Sequence, residues 1–551
     1  MTKNLKDSAG DRFVEPTPPG VDAVEFSLDP YAGLTYGTYR KPILPLTGDE
    51  SVTSHLDTGR EVHASNGVIT YSFNALPHAT GLFNNPQYGL SGSTDYSPFT
   101  ADQQVAARAA IQLWDDLIPQ SFKETNGRGA DIIFANSSDP AQAFAYYPVP
   151  GKGYTFQSDV FIADPSLNPS NSLFHYGQYG NTTLIHELGH TLGLSHPGAY
   201  NGTGTFATDA EYAQDTYQYS IMSYFNGTNS RELAINWDLG GVVPGSISYT
   251  STGAVSSFSF RANYPQAPML HDIYVIQEKY GADPTTRVGA TTYGFNSTAG
   301  NALFDFNANP NPMYSIYDAG GNDTIDASGF NVSQYINLHA GSFSSIGGGA
   351  PSAAHVNAYW TEYYAAYGLS FPAGYFTDAF LQQAQSAVQS IVSARIAADT
   401  GVGGIGATQF DNVSIAYGTI IENAIGGSAR DLLQGNEYAN RLEGRGGNDV
   451  LQGFEGNDTL IGGEGNDTLT GGAGNDVFVF AKDGSIDTIT DFQSGADKID
   501  LSKVAGASAA YVSFNATLHQ LQIDTDHNGS FDMIVNVLGS NVATGDILYG
   551  V

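Results

Sequence analysis

Cysteine is absent from the 551 residues, so neither a disulfide nor a thiolate metal site can hold this chain together. No apolar run is long enough to span a bilayer, and the first residues, MTKNLKDSAGDRF, lack the apolar core of a secretory leader. Positive charge is scarce: 21 Lys and Arg stand against 55 Asp and Glu, a formal charge of -34. Such a surface repels phosphate backbones, which argues against nucleic acid as a partner. Membrane insertion is not expected either.

An acidic excess often does no more than solvate a surface; the sharper reading is that carboxylates gather around cations. Apolar residues make up 41% of the chain, with 33 Tyr and 30 Phe, enough for two or more folded domains. Glycine is heavily used, at 65 residues, which directs attention to repeats.

Residues 1–66 are rich in Pro, Gly and Asp and read as an N-terminal extension or leader with little core of its own. Strands and long helices then mix over residues 67–284. VITYSF from Val68 alternates like a strand, ADIIFAN reads as another, and TADQQVAARAAIQLWDDLI reads as a helix with Thr100 as its N-cap and Gln103 well placed to complete the cap. Over 285–551 the pattern changes to short apolar triplets punctuated by Gly, Asn and Asp, as in short strands and tight turns. Residues 341–409 break that pattern with WTEYYAAYG and FTDAFLQQAQSAVQSIVSARIAAD, a helical insertion expected to pack on the β-rich part as a small appendage.

Residues 182–196 read TTLIHELGHTLGLSH. On a helix His186 and His190 share one face a turn apart, so both imidazoles can reach a single metal. Glu187, beside the first of them, is placed to take a proton from water at that metal. Gly193 can adopt a left-handed conformation, end the helix and return the chain so that His196 becomes a third ligand. Three imidazoles leave a tetrahedral zinc one open position, the arrangement of a catalytic site. HExxH alone arises by chance; the full HExxHxxGxxH, followed by Ser220-Ile221-Met222-Ser223-Tyr224, leaves chance little room.

Gly426 to Val479 divides into six nonapeptides: GGSARDLLQ, GNEYANRLE, GRGGNDVLQ, GFEGNDTLI, GGEGNDTLT and GGAGNDVFV. Position one is always Gly, position eight always apolar, and position six is Asp except at Asn440. This is the repeats-in-toxin pattern: glycine-rich turns expose carbonyl oxygens, Asp supplies hard carboxylate oxygen, and the last three residues form a strand. Leu433, Leu442, Leu451, Leu460, Leu469 and Phe478 are expected to stack inward. The first repeat offers Gly427 and Asp431 to calcium, and the third Gly444, Gly446, Gly447 and Asp449. The fourth offers Gly453, Glu455, Gly456 and Asp458, and the fifth Gly462, Gly463, Glu464, Gly465 and Asp467. Gly471, Gly472, Ala473, Gly474 and Asp476 follow in the sixth, with Asp487 beyond it. DTDHNGSFD at Asp524 begins like an EF-hand loop, but Val535 stands where the closing Glu belongs, so an acidic hairpin turn is expected.

HELGHTLGLSHPGAYN and SIMSYF resemble the metzincins and, within that clan, the serralysin family of secreted bacterial proteases. YGFNS followed by IYDAGGNDTIDASGF, and DTITDFQSGADKIDLS from Asp487, carry the same resemblance into the second half. It implies an α+β metzincin-like catalytic domain followed by an all-β parallel β-roll, and a zinc-dependent endopeptidase with one catalytic zinc and several structural calcium ions. It places Met222 as a packing floor beneath the metal and Tyr224 as a metal ligand that swings to stabilise the tetrahedral intermediate. An earlier calcium site is implied at Arg287, Gly289, Thr291, Asp318, Gly320, Gly321, Asp323 and Glu422. The implied partners are protein substrates and, during export, a type I secretion machinery that reads a C-terminal signal. The implied product is a secreted, extracellular bacterial monomer made without an N-terminal signal peptide. The competing reading is a calcium-dependent surface or adhesion repeat protein with a non-catalytic protease-like domain, against which the intact His186, Glu187, His190, His196 and Tyr224 stand. A repeat-containing lipase would need a GxSxG elbow, and the sequence has none.

Overall fold

Thr100 caps its helix as its neighbours predict. Its hydroxyl accepts the Gln103 N–H at 3.2 Å while the Gln103 side chain accepts the Thr100 N–H at 2.8 Å. The helix that follows, α2 (Ala101–Asp115), presents Ala106, Ala107, Ala110, Ile111 and Trp114 as its buried face. The computed structural model describes residues 23–27, 41–62, 64–74, 96–127, 129–138, 143–148, 158–201, 204–249 and 255–550. They fall into two compact units: Met1–Thr286 with Met313–Ala319 and Ser352–Thr377, and Arg287–Pro312 with Gly320–Pro351 and Asp378–Val551.

In the first unit a mixed sheet orders its strands Ser121–Glu124, Val68–Ser72, Ile132–Ser137, Ser158–Ala163 and Ala143–Ala145. The last pairs antiparallel with its neighbour and the others run parallel. Ile132–Ser137 and Ser158–Ala163 are buried along their whole length, as strands covered on both faces must be. Trp114 of α2 is fully buried, and its indole N–H donates to the Ile185 carbonyl of α3 (Tyr179–Thr191). That contact locks the two helices together.

Part of the stretch expected to be an extension belongs to this unit. α1 (Val52–Leu56) buries Val52 and Leu56, and Ser195 donates its backbone N–H to the Leu56 carbonyl. The rest of residues 1–66 lies mostly outside the described residues. Phe206–Asp209 (α4) and Leu270–Tyr280 (α5) complete the α-helices among the described residues of the first 286.

The second unit is a coil of short strands forming two eight-stranded sheets. Successive nonapeptides go to alternate sheets, so partners lie 18 residues apart: Leu442 registers with Leu460 and Leu460 with Phe478, while Leu433 registers with Leu451 and Leu451 with Leu469. All six of these side chains are fully buried, the inward stack that the nine-residue phase predicts. Within these two sheets all pairings are parallel until Gln520–Ile523 and Val512–Asn515 close one of them antiparallel. At the acidic turn between Ile523 and Met533, Asp524 accepts the N–H groups of Asn528 and Gly529, and Asp532 pairs with Lys482 at 2.8 Å. It is a hairpin turn, as expected.

The insertion is not a single appendage on the roll. α6 (Ala353–Ala366) is grouped with the first unit, where Trp360 is fully buried and lies against Gly240. The Arg261 guanidinium sits 5.0, 5.5 and 5.2 Å from the rings of Tyr359, Trp360 and Tyr363. Only α7 (Asp378–Thr400) is grouped with the roll, burying Leu381, Ala384, Val388, Ile391, Val392 and Ile396.

Candidate active site and acidic ladder

α3 is buried along nearly its whole length, with Leu184, Ile185 and Leu188 in the core. Position 189 must be small, because a Cβ there would lie 2.5 Å from the Met222 Sδ. The glycine lets the Met222 side chain press directly on the helix that carries His186 and His190. Past the helix, Gly193 takes φ +92 and packs its α-carbon against the Arg60 carbonyl, where a Cβ would come within 2.0 Å. The left-handed turn expected from the sequence is present, and His196 returns beside the other two histidines.

Each of the three rings turns its Nδ1 to a backbone carbonyl: His186 to Ile221 at 2.8 Å, His190 to Leu194 at 2.8 Å and His196 to Tyr200 at 3.2 Å. A carbonyl oxygen only accepts, so each Nδ1 carries the proton and each Nε2 keeps its lone pair. The Nε2 atoms of His186 and His190 lie 3.2 and 3.1 Å from that of His196. Three lone pairs cannot hydrogen-bond to one another. Their spacing is close to the ~3.3 Å expected between nitrogens held at about 2.0 Å from one tetrahedral ion. The donor set therefore suits zinc, with the carbonyl partners fixing tautomer and ring orientation. Among the described residues this is the one cluster of His, Cys, Asp or Glu whose ligand atoms converge in this way.

Glu187 is buried beside His186, and both line a cleft with Tyr224, Thr182, Thr183, Tyr179 and Ala143. The Tyr224 ring centroid is 4.4 Å from that of His196 and 5.9 Å from that of His186. Two acids that sequence reasoning missed hold the surroundings. Asp272 of α5 accepts the Ser220 hydroxyl and the Ile221 N–H, each at 2.6 Å, and so fixes the turn whose carbonyl orients His186. Asp215 accepts the Tyr200 hydroxyl at 2.6 Å and the Ser223 hydroxyl at 2.8 Å, bracing the residue whose carbonyl orients His196. Burial pushes both carboxyls up to about 7. Neither lies in a motif, so no local signal marks them.

In the roll, Asp449, Asp458, Asp467 and Asp476 each accept on Oδ1 the N–H of the residue 18 positions earlier, at 2.8, 2.8, 2.8 and 2.9 Å. The Oδ2 of each is buried without a hydrogen-bond partner. Burial pushes Asp449 and Asp467 up to about 8, Asp458 to about 7 and Asp476 to about 6. A row of orphaned carboxylate oxygens beside glycine-rich turns suits a hard cation such as calcium. Asp487 continues the ladder by accepting the Asp467 N–H, whereas Asp431 is already satisfied by the N–H groups of Gly427 and Gln334. Gly447, Gly456, Gly463, Gly465, Gly472 and Gly474 all have positive φ, as turns of this kind require; Gly444, Gly446, Gly453, Gly462 and Gly471 do not, while Glu455, Glu464 and Ala473 are exposed.

The earlier predicted set is largely brought together. Thr291 donates its N–H to Asp323 and its hydroxyl to the Gly289 carbonyl, Asp323 donates its N–H to Glu422, and Gly321 lies against Gly289. Arg287 takes φ 52 and Gly320 φ +138, while Asp318 is buried in the Met313–Ala319 stretch.

A helix-borne histidine triad closed by a glycine turn and floored by methionine, beside a mixed sheet, defines a metalloendopeptidase of the metzincin class. The chain is 36% identical over 532 residues to the metallopeptidase AprA of Pseudomonas marginalis, covering 91% of both. It is 35% identical to the metalloprotease AprA of Pseudomonas entomophila, covering 87% of this chain and 85% of that one. With the serralysin of Proteus mirabilis it shares 34% identity over 86% and 82% of the two chains. A family model described as Peptidase M10 serralysin C terminal matches residues 282–357 and 387–549. The chain belongs to the serralysin family of secreted zinc metalloendopeptidases. With proteases as relatives over most of its length, the non-catalytic adhesion reading is not favoured. The family model also narrows the insertion: residues 341–357 and 387–409 have family counterparts, and the unmatched stretch is 358–386.

Proposed function

We propose that His186, His190 and His196 hold the catalytic zinc through their Nε2 atoms, and that Glu187 and Tyr224 carry the chemistry of peptide-bond hydrolysis. Zinc bound there would supply a Lewis acid that polarises the scissile carbonyl and makes water acidic near neutral pH. Glu187 takes a proton from the attacking water and later delivers it to the departing amine. The hydroxyl of Tyr224, which lines the cleft with His186 and Glu187, donates to the oxyanion as charge develops on it. Extended segments of protein substrates occupy the cleft. The acidic ladder and the Arg287–Glu422 region take structural calcium, and the protein acts as an extracellular monomer exported through a type I machinery.

The observation that carries the catalytic reading is the convergence of three Nε2 lone pairs, each set by a proton committed to a backbone carbonyl. Its test is Glu187→Ala. One zinc per chain should remain by atomic absorption while casein cleavage falls by about 10²–10⁴-fold. Near-normal turnover in that variant would remove Glu187 from the mechanism, and loss of zinc would make it a ligand.

A further inference from the structure

The six nonapeptides are not equivalent. Carboxylates at position six form two ladders, one along each edge of the roll. Asp431 donates its N–H to Asp449, Asp449 to Asp467 and Asp467 to Asp487 on one edge. On the other, Asn440 donates to Asp458, Asp458 to Asp476 and Asp476 to Asp497. Where the residue is Asp449, Asp458, Asp467 or Asp476, the Oδ2 leans over the glycine that opens the repeat. It lies 2.3, 2.1, 2.2 and 2.3 Å from where a Cβ on Gly444, Gly453, Gly462 and Gly471 would stand. No protein donor reaches these oxygens.

Asn440 is built differently. Its Oδ1 occupies the place over Gly435, 2.2 Å from where a Cβ would stand, and accepts the Asn436 N–H at 2.7 Å. Its Nδ2 donates to the Glu422 carbonyl at 3.1 Å and to the Asn436 Oδ1 at 3.0 Å. Asn436 in turn donates its own amide to the carbonyls of Ile421 and Leu338, at 2.9 and 3.2 Å. Both side chains are buried, and every polar atom of the pair has a partner. The oxygens that a cation would recruit are already taken by N–H donors, and an amide nitrogen aimed at them cannot itself be a ligand.

We infer that the turn of Gly435–Glu443 is closed by its own amides and takes no cation. The inference rests on the calcium reading of the ladder given above. It makes this turn indifferent to calcium while the four turns after it depend on calcium, giving the roll an inner turn that keeps its shape when the ion is scarce.

The test counts ions on the full chain by equilibrium dialysis and follows the roll's thermal transition in calcium-free buffer and at millimolar calcium. Asn440→Asp puts a carboxylate oxygen where Nδ2 now stands, so that it meets the Glu422 carbonyl and the Asn436 Oδ1. That variant should bind one more calcium per chain, melt lower than the parent without calcium, and lose that deficit when calcium is added. An unchanged count overturns the inference. Asn436→Ala removes the closing amide without adding charge; the count should stay the same and the transition should fall equally with and without calcium. Loss of an ion there would show that the turn did hold one. Asp458→Asn should lose one ion. A parent chain that binds no calcium at all would instead sink the calcium reading, and the inference with it.

Discussion

At the residue scale, what was legible is what lies within a single short stretch. His186, Glu187, His190, Gly193 and His196 fall in eleven consecutive positions of a helix and its turn, so periodicity alone places them around one point. Asp272 is different: it fixes the Ile221 N–H from 51 residues away, a separation at which no spacing rule operates. Two predictions belong here. If the Tyr224 hydroxyl meets the oxyanion, Tyr224→Phe should lower kcat by about 10²–10³-fold while KM changes little, because the bond strengthens only in the transition state. Steady-state kinetics on a short peptide would check this, and a pure KM effect would move Tyr224 to substrate binding. Gly193→Ala forces a Cβ into the left-handed region and to within 2.0 Å of the Arg60 carbonyl. It should cost at least about 1–2 kcal/mol of stability from the backbone alone and loosen zinc through displaced His196, measurable by chemical unfolding and metal competition.

At the element scale, the sequence reads helices better than it reads their partners. Thr100 with Gln103 announces the start of α2, and the nine-residue phase announces which leucines point inward, because both signals are local. The apolar and aromatic residues of α6 announce a buried face without saying what it buries against. That is why the helix was expected on the roll and is found with the catalytic unit. Tyr359 ties it there, its hydroxyl accepting from the Arg261 guanidinium and from Gln178, the N-cap residue of α3, at 2.9 Å for the latter. Removing residues 358–386 should therefore unfold or inactivate the catalytic unit rather than leave casein cleavage intact. Trp360→Ala, which empties a fully buried indole site, should cost about 3–5 kcal/mol and lower a calorimetric transition together with activity. Unchanged stability in that variant would show that α6 is dispensable.

At the scale of the whole molecule, the formal charge of -34 acquires a location and a sign in the ladder. An isolated carboxyl of an unfolded chain titrates near 4. Burial in the metal-free roll pushes Asp449 and Asp467 up to about 8, Asp431 and Asp458 to about 7, and Asp476 and Asp487 to about 6. Between these limits the folded roll holds more protons than the unfolded chain, so its stability falls as pH rises through the window of about 4 to 8. The contribution is fully present below the unfolded value and gone above the folded ones. Asp532 has the opposite sign, since its hydrogen bond from Lys482 lowers its pKa, and its contribution is lost only as pH drops below the ordinary carboxylate range. On the calcium reading proposed above, protons and calcium would serve the same oxygens, and each should substitute for the other. In calcium-free buffer the roll's thermal transition should lie higher at pH 5 than at pH 8, and millimolar calcium should raise the pH 8 transition far more than the pH 5 one. Calcium affinity should weaken on acidification over the same window, because binding must then displace protons. A metal-free transition that climbs steadily from pH 5 to pH 8 would show that the ladder carboxylates are ionised and paired within the protein itself, leaving calcium no repulsion to relieve.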